Sequence, residues 1–135
     1  MGEEGLELGA HSNTHPDLRR LTAEALAEEA GGSAERIHER TGQRPDSFAY
    51  PYGAYDARVV GAVRSAFDTA CTTELRELGS SEDPLRLPRL DAWYLRRPER
   101  LATWGTRSFR RYLTLRSGLR RARSILTKGS GRFDR

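Results

Sequence analysis

The sequence predicts an α/β fold with mostly parallel strands, and three observations carry that reading. Strand-like and helix-like segments alternate in the order β-α-β-α-β-β, as an α/β layer or barrel requires. Cap-forming residues, Thr22 and Asp56, stand where the two helical segments should begin. Glycine and proline cluster between segments, where the hydrophobic pattern changes.

Taken in order, the first strand is the short alternating run Gly5-Leu6-Glu7-Leu8-Gly9-Ala10. It leads into His11-Ser12-Asn13-Thr14-His15-Pro16, a loop by composition, so both histidines sit at the strand's C-terminal end. From its cap at Thr22 the first helix runs to Arg40, with Gly42 as its stop and Pro45 beyond. Leu26, Ala30 and Ile37 form its inward stripe, and Gly31-Gly32 is expected to bend or split it. Ser47–Tyr50 reads as a second strand, ended by Pro51-Tyr52-Gly53. Asp56 then caps a helix with Val59, Val60, Val63 and Phe67 on one face. Thr69–Thr73 and Leu85–Leu90 complete the strands.

Beyond Trp93, Pro98 and Thr106 each open an arginine-rich helical stretch. Phe109, Tyr112, Leu115, Leu119, Ala122 and Leu126 recur at three- and four-residue steps, an apolar stripe expected to dock within the chain. Residues 129–135 read as a fraying polar end. The expected organisation is thus residues 1–95 as one region and 96–135 as a basic helical tail.

With 135 residues, 36% hydrophobic and 31% charged, the chain has room for one small domain with a thin core. Its single cysteine, Cys71, excludes an internal disulfide and a thiolate zinc cluster, and is read as a small core residue. No apolar run reaches bilayer-spanning length, and the acidic start lacks a signal peptide's pattern, which places the chain in the cytoplasm by default. The net charge of +4 is divided unevenly. Residues 96–135 hold 13 Arg/Lys against Glu99 and Asp134, a net +11, which leaves −7 for residues 1–95. Any attraction to anionic partners belongs to the tail.

His11 and His15 are the sharpest chemical feature. Two imidazoles four residues apart can turn toward one cation, although such pairs are often ordinary polar loop residues. A zinc site also needs a third protein ligand, commonly a carboxylate, and an open position for water.

The wider pattern decides between these. Gly-Leu-Glu-Leu-Gly-Ala-His-Ser-Asn-Thr-His-Pro-Asp-Leu, then Phe-Ala-Tyr-Pro-Tyr-Gly-Ala-Tyr-Asp, then Leu-Pro-Arg-Leu-Asp, resembles the polysaccharide deacetylases with a NodB homology domain over residues 5 to 95. The resemblance implies an incomplete (β/α) barrel lacking its first strands, with the site at the strands' C-terminal ends and a C-terminal basic helix appended. It implies His11 and His15 as ligands of a divalent metal, zinc first, with cobalt or nickel as alternatives. Thr14 would fix the loop between them. The backbone N–H of Tyr52 would stabilise an oxyanion, and Asp91 with Arg89 would orient the catalytic base. Tyr50, Pro51, Tyr52, Gly53 and Trp93 are the implied substrate-binding positions; the Tyr50 ring itself is read as packing inward, and Trp93 and Tyr94 as facing either a sugar or the core.

The implied reaction is hydrolysis of N-acetyl groups on N-acetylglucosamine-containing glycans, a metal-dependent cleavage of a linear amide C–N bond. The family's Asp-Asp motif, which supplies the base and third ligand, has no counterpart in residues 1–10 and is expected upstream of Met1. The family's late histidine acid is also unmatched, since His38 falls in a helix and reads as solvated. Glu28 and Glu29 are assigned to a solvated helix face. The partner expected is an acetylated glycan, with an anionic membrane surface as the alternative to intrachain docking for the tail and nucleic acid disfavoured; the oligomeric state is left open. The competing readings are an inactive truncated deacetylase and a basic module that binds an anionic membrane or polymer.

Overall fold

The computed structural model describes residues 7–129, and the chain divides into two compact units. One takes the chain up to Thr73 together with Leu78–Pro88; the other takes Glu74–Glu77 and the chain from Arg89 onward.

The first unit is a mixed α/β structure built on parallel pairing. β1 (Ser47–Ala49) and β2 (Thr69–Cys71) run parallel, with Phe48 opposite Ala70. Single parallel bridges flank the pair, Ala10 to Phe48 on one side and Cys71 to Leu87 on the other. Ala10 is fixed from both sides: its N–H donates to Ser47 O and its carbonyl accepts from Ala49 N, each at 2.8 Å. Parallel neighbours need long crossovers, and α1 (Ala23–Thr41) and α2 (Ala57–Arg64) supply them.

Local chemistry sets the helix ends. Thr22 Oγ1 accepts from Ala25 N, and Asp56 Oδ1 accepts from Val59 N at 2.9 Å. Gly42 closes α1 in the left-handed conformation, its N–H donating to His38 O. The break expected at Gly31-Gly32 does not occur. Leu26, Ala30, Ser33 and Ala34 are buried on either side of the glycines, and that burial outweighs a propensity cost of about 1 kcal/mol per glycine.

Two expected strands shrink to single bridges. The first is reduced to the bridged residue Ala10, with Gly5 and Leu6 outside the described residues. Within Leu85–Leu90 only Leu87 is bridged. Pro84 begins a 3₁₀ turn, Pro84–Arg86, capped by Asp83, and Pro88 has no N–H to extend a ladder. Cys71, expected in the core, is only half-buried.

The core of this unit joins Leu18, Leu26, Phe48, Val59, Val63 and Leu85, among others. Tyr50 belongs to it, 2% exposed, and its hydroxyl donates to Leu85 O at 2.9 Å. Burial pushes its pKa up to about 12.

The second unit contains a 3₁₀ turn (Ala92–Leu95), α3 (Pro98–Ala102) and α4 (Arg107–Gly129). Its small core is Leu75, Phe109 and Leu113, with Tyr94 and Tyr112 packed alongside. The stripe expected on α4 is therefore displaced: Leu113 points inward, whereas Leu115 and Leu119 are 64% and 51% exposed. Leu113 follows Phe109 by one turn, and Leu115 lies about 200° further round the helix from Leu113. The side chain of Leu126 lies outside the described residues. No helix among the described residues is long and apolar enough to cross a membrane.

Candidate functional site

Parallel pairing brings the C-terminal ends of Ala10 and β1 side by side, and the loops that follow carry the candidate residues. His11 comes directly after Ala10. Its Nδ1 lies 2.7 Å from Ala49 O. A carbonyl can only accept, so Nδ1 carries a proton, which leaves Nε2 as the ring atom available to a cation.

His15 reaches the same place by a turn. Ser12 and His15 both adopt left-handed backbone, at φ 62° and 60°, and His15 N donates to Ser12 Oγ at 3.0 Å. The two imidazoles meet edge-on with centroids 4.8 Å apart. Both residues are exposed, so the pair faces solvent.

The loop between them is held from α1. Glu29 accepts from Asn13 N at 2.8 Å, Thr14 N at 2.9 Å and Thr14 Oγ1 at 2.6 Å, while Asn13 Nδ2 donates to Glu28 O. Burial opposes charge on Glu29, but the hydrogen bonds from Thr14 and Asn13, with Arg36 nearby, outweigh it and hold the carboxyl below the usual glutamate range. Thr14 thus anchors the loop as the motif implied. Glu29 does not lie on a solvated face. Its spacing from Leu26 and Ser33 puts it at the edge of the buried stripe.

The turn after β1 closes the other side. Tyr52 is left-handed, at φ 58°, with its ring 67% exposed and 4.5 Å from that of His15. Its backbone N–H has no hydrogen-bond partner among the described residues. Gly53 follows at φ 65°, and a Cβ there would collide with the Thr73 side chain. Ser12, His15 and Tyr52 are the non-glycine residues with positive φ among those described. Such conformations cost about 1–3 kcal/mol each and concentrate at functional sites.

The remaining candidates are placed differently. Pro51 is buried, and the Tyr50 side chain is spent in the core, so it offers no ring to a ligand. Arg89, Asp91 and Trp93 belong to the second unit. Asp91 caps the Ala92–Leu95 turn by accepting from Trp93 N at 2.9 Å. Arg89 N donates to Glu74 O, and the exposed Trp93 ring lies under the Arg96 guanidinium at 3.6 Å rather than against a core. His38 is exposed on α1. Among the described residues no group of three His, Cys, Asp or Glu converges as a complete metal site.

The polysaccharide deacetylase family model matches residues 1–67. Over those residues the chain belongs to the polysaccharide deacetylase family. It is 33% identical over 60 residues to the Bacillus subtilis protein YlxY, itself described as uncharacterized, covering 44% of this chain and 19% of that protein. A polysaccharide deacetylase from Bacillus cereus is similar in structure, with TM-score 0.55 and 29% identity over 61% of this chain and 26% of its own. A Streptococcus pyogenes deacetylase solved in complex with acetate shares the fold at TM-score 0.57 and 24% identity, over 61% of this chain and 37% of its own. The chain thus spans well under half the length of each of these relatives.

Proposed function

We propose that the chain carries part of the active site of a metal-dependent polysaccharide N-deacetylase acting on N-acetylglucosamine-containing glycans. The observation that supports this most is the edge-on pair of His11 and His15, with the His11 tautomer fixed by Ala49 O. Imidazole ligands suit zinc, and cobalt or nickel as well. A bound divalent cation would polarise the acetamide carbonyl and acidify a water.

The chain's own residues do the rest of the positioning. His11 and His15 would hold the cation. Glu29 and Thr14 fix the loop that carries them. The Tyr52 N–H, without a hydrogen-bond partner among the described residues, would stabilise a developing oxyanion, a contribution typically worth about 3 kcal/mol. A third ligand and a general base are still required, and on this reading they come from residues other than those described. Acetate release from an N-acetylglucosamine oligosaccharide in the presence of zinc, by a protein in which this chain is joined to those residues, tests the reading. Release that is lost in His11→Ala and in His15→Ala supports it, and equal release by both variants contradicts it.

For the tail a second reading, docking on an anionic membrane surface, is favoured by the exposed Leu115 and Leu119 on an arginine-rich helix. Vesicle binding that survives moderate salt is the expected outcome, because apolar insertion is not screened.

A further inference from the structure

The second unit holds a cleft of about 250 Å³ whose charged lining is Arg96, Arg97, Arg100 and Arg116, together with three aromatic rings. Arg96 lies over Trp93 at 3.6 Å, Arg100 over Tyr112 at 4.1 Å and Arg116 over Tyr94 at 5.2 Å. None of the four pairs with a carboxylate among the described residues. Asp91 and Glu99 are the only acidic residues from Arg89 to Gly129, and the Asp91 carboxylate is engaged at the Ala92–Leu95 turn.

Four guanidinium groups gathered with no carboxylate in the cleft lining repel one another, and an anion in the cleft would relieve that repulsion. Stacking occupies the face of a guanidinium and leaves its N–H edge free, and that edge matches an oxyanion in bidentate fashion. The rings also hold the arginines in place, so less side-chain freedom is lost when a ligand binds.

We propose that this cleft binds a phosphate-type oxyanion carrying two or more negative charges, of about pyrophosphate size. A soluble diphosphate and a phospholipid headgroup share that chemistry. Calorimetric titration of the full chain with sodium pyrophosphate at low ionic strength is the test, with sodium acetate as the monoanionic control. One-to-one saturable binding is expected, weakened about tenfold by Arg100→Gln and by Arg116→Gln. Arg107→Gln, on the same helix and outside the cleft lining, should leave it unchanged. Arg100→Lys should weaken it too, since a lysine keeps the charge and loses the fork. Circular dichroism checks that each variant keeps its helices; should one lose them, the other position decides. Absence of saturable pyrophosphate binding overturns the proposal, as does an Arg107→Gln loss equal to that of the cleft variants. Given binding, displacement of the chain from phosphatidic acid vesicles by pyrophosphate identifies the headgroup as the source. Binding of pyrophosphate without vesicle binding identifies a soluble one.

Discussion

At the residue scale the histidine loop rests on Glu29, which accepts three hydrogen bonds from Asn13 and Thr14. Glu29→Ala should release both backbone amides, costing about 1 kcal/mol of stability and speeding their hydrogen exchange. The sign of the pH dependence follows from the lowered pKa of Glu29. Its stabilising contribution is full above the ordinary glutamate range and is lost as pH falls through the lower folded value. Between about pH 5 and pH 3, wild-type stability should therefore fall more steeply than that of Glu29→Gln. Gly53→Ala should destabilise by about 2 kcal/mol or more, since it combines a left-handed φ with a clash on Thr73. His11, His15 and Thr14 were legible because their types and spacing form a motif. Glu29 was not, because its role depends on where the end of another loop arrives.

At the element scale the caps and stops were readable: Thr22, Gly42, Asp56 and Pro98 each stand at the helix end that their chemistry favours. Thr22→Ala and Asp56→Ala should each cost about 1 kcal/mol, measured by denaturant unfolding. The strands were less legible. Gly5–Ala10 and Leu85–Leu90 alternate acceptably, yet pairing is non-local, and Pro84 with Asp83 favours a 3₁₀ turn over a ladder. On α4 the inward stripe is not legible in the sequence, because a helix with arginines all round leaves several apolar choices open. Packing with Leu75, and with Leu90, Tyr94 and Leu95 beside it, selects Phe109 and Leu113.

At the scale of the whole molecule, a −7 region and a +11 tail share one chain. Two parallel strands with two flanking bridges position the histidine loop, and the family match covers residues 1–67. That much of the fold followed from the alternation of elements; the placement of Arg89, Asp91 and Trp93 in a separate compact unit did not, because no local pattern encodes it. The central claim is that His11 and His15 act on one cation. A zinc titration of the full chain, followed by NMR of the three histidine rings, tests it most directly. The His11 and His15 resonances should move together while His38, exposed on α1, stays in place. A His38 response equal to theirs, or no response from the pair, contradicts it.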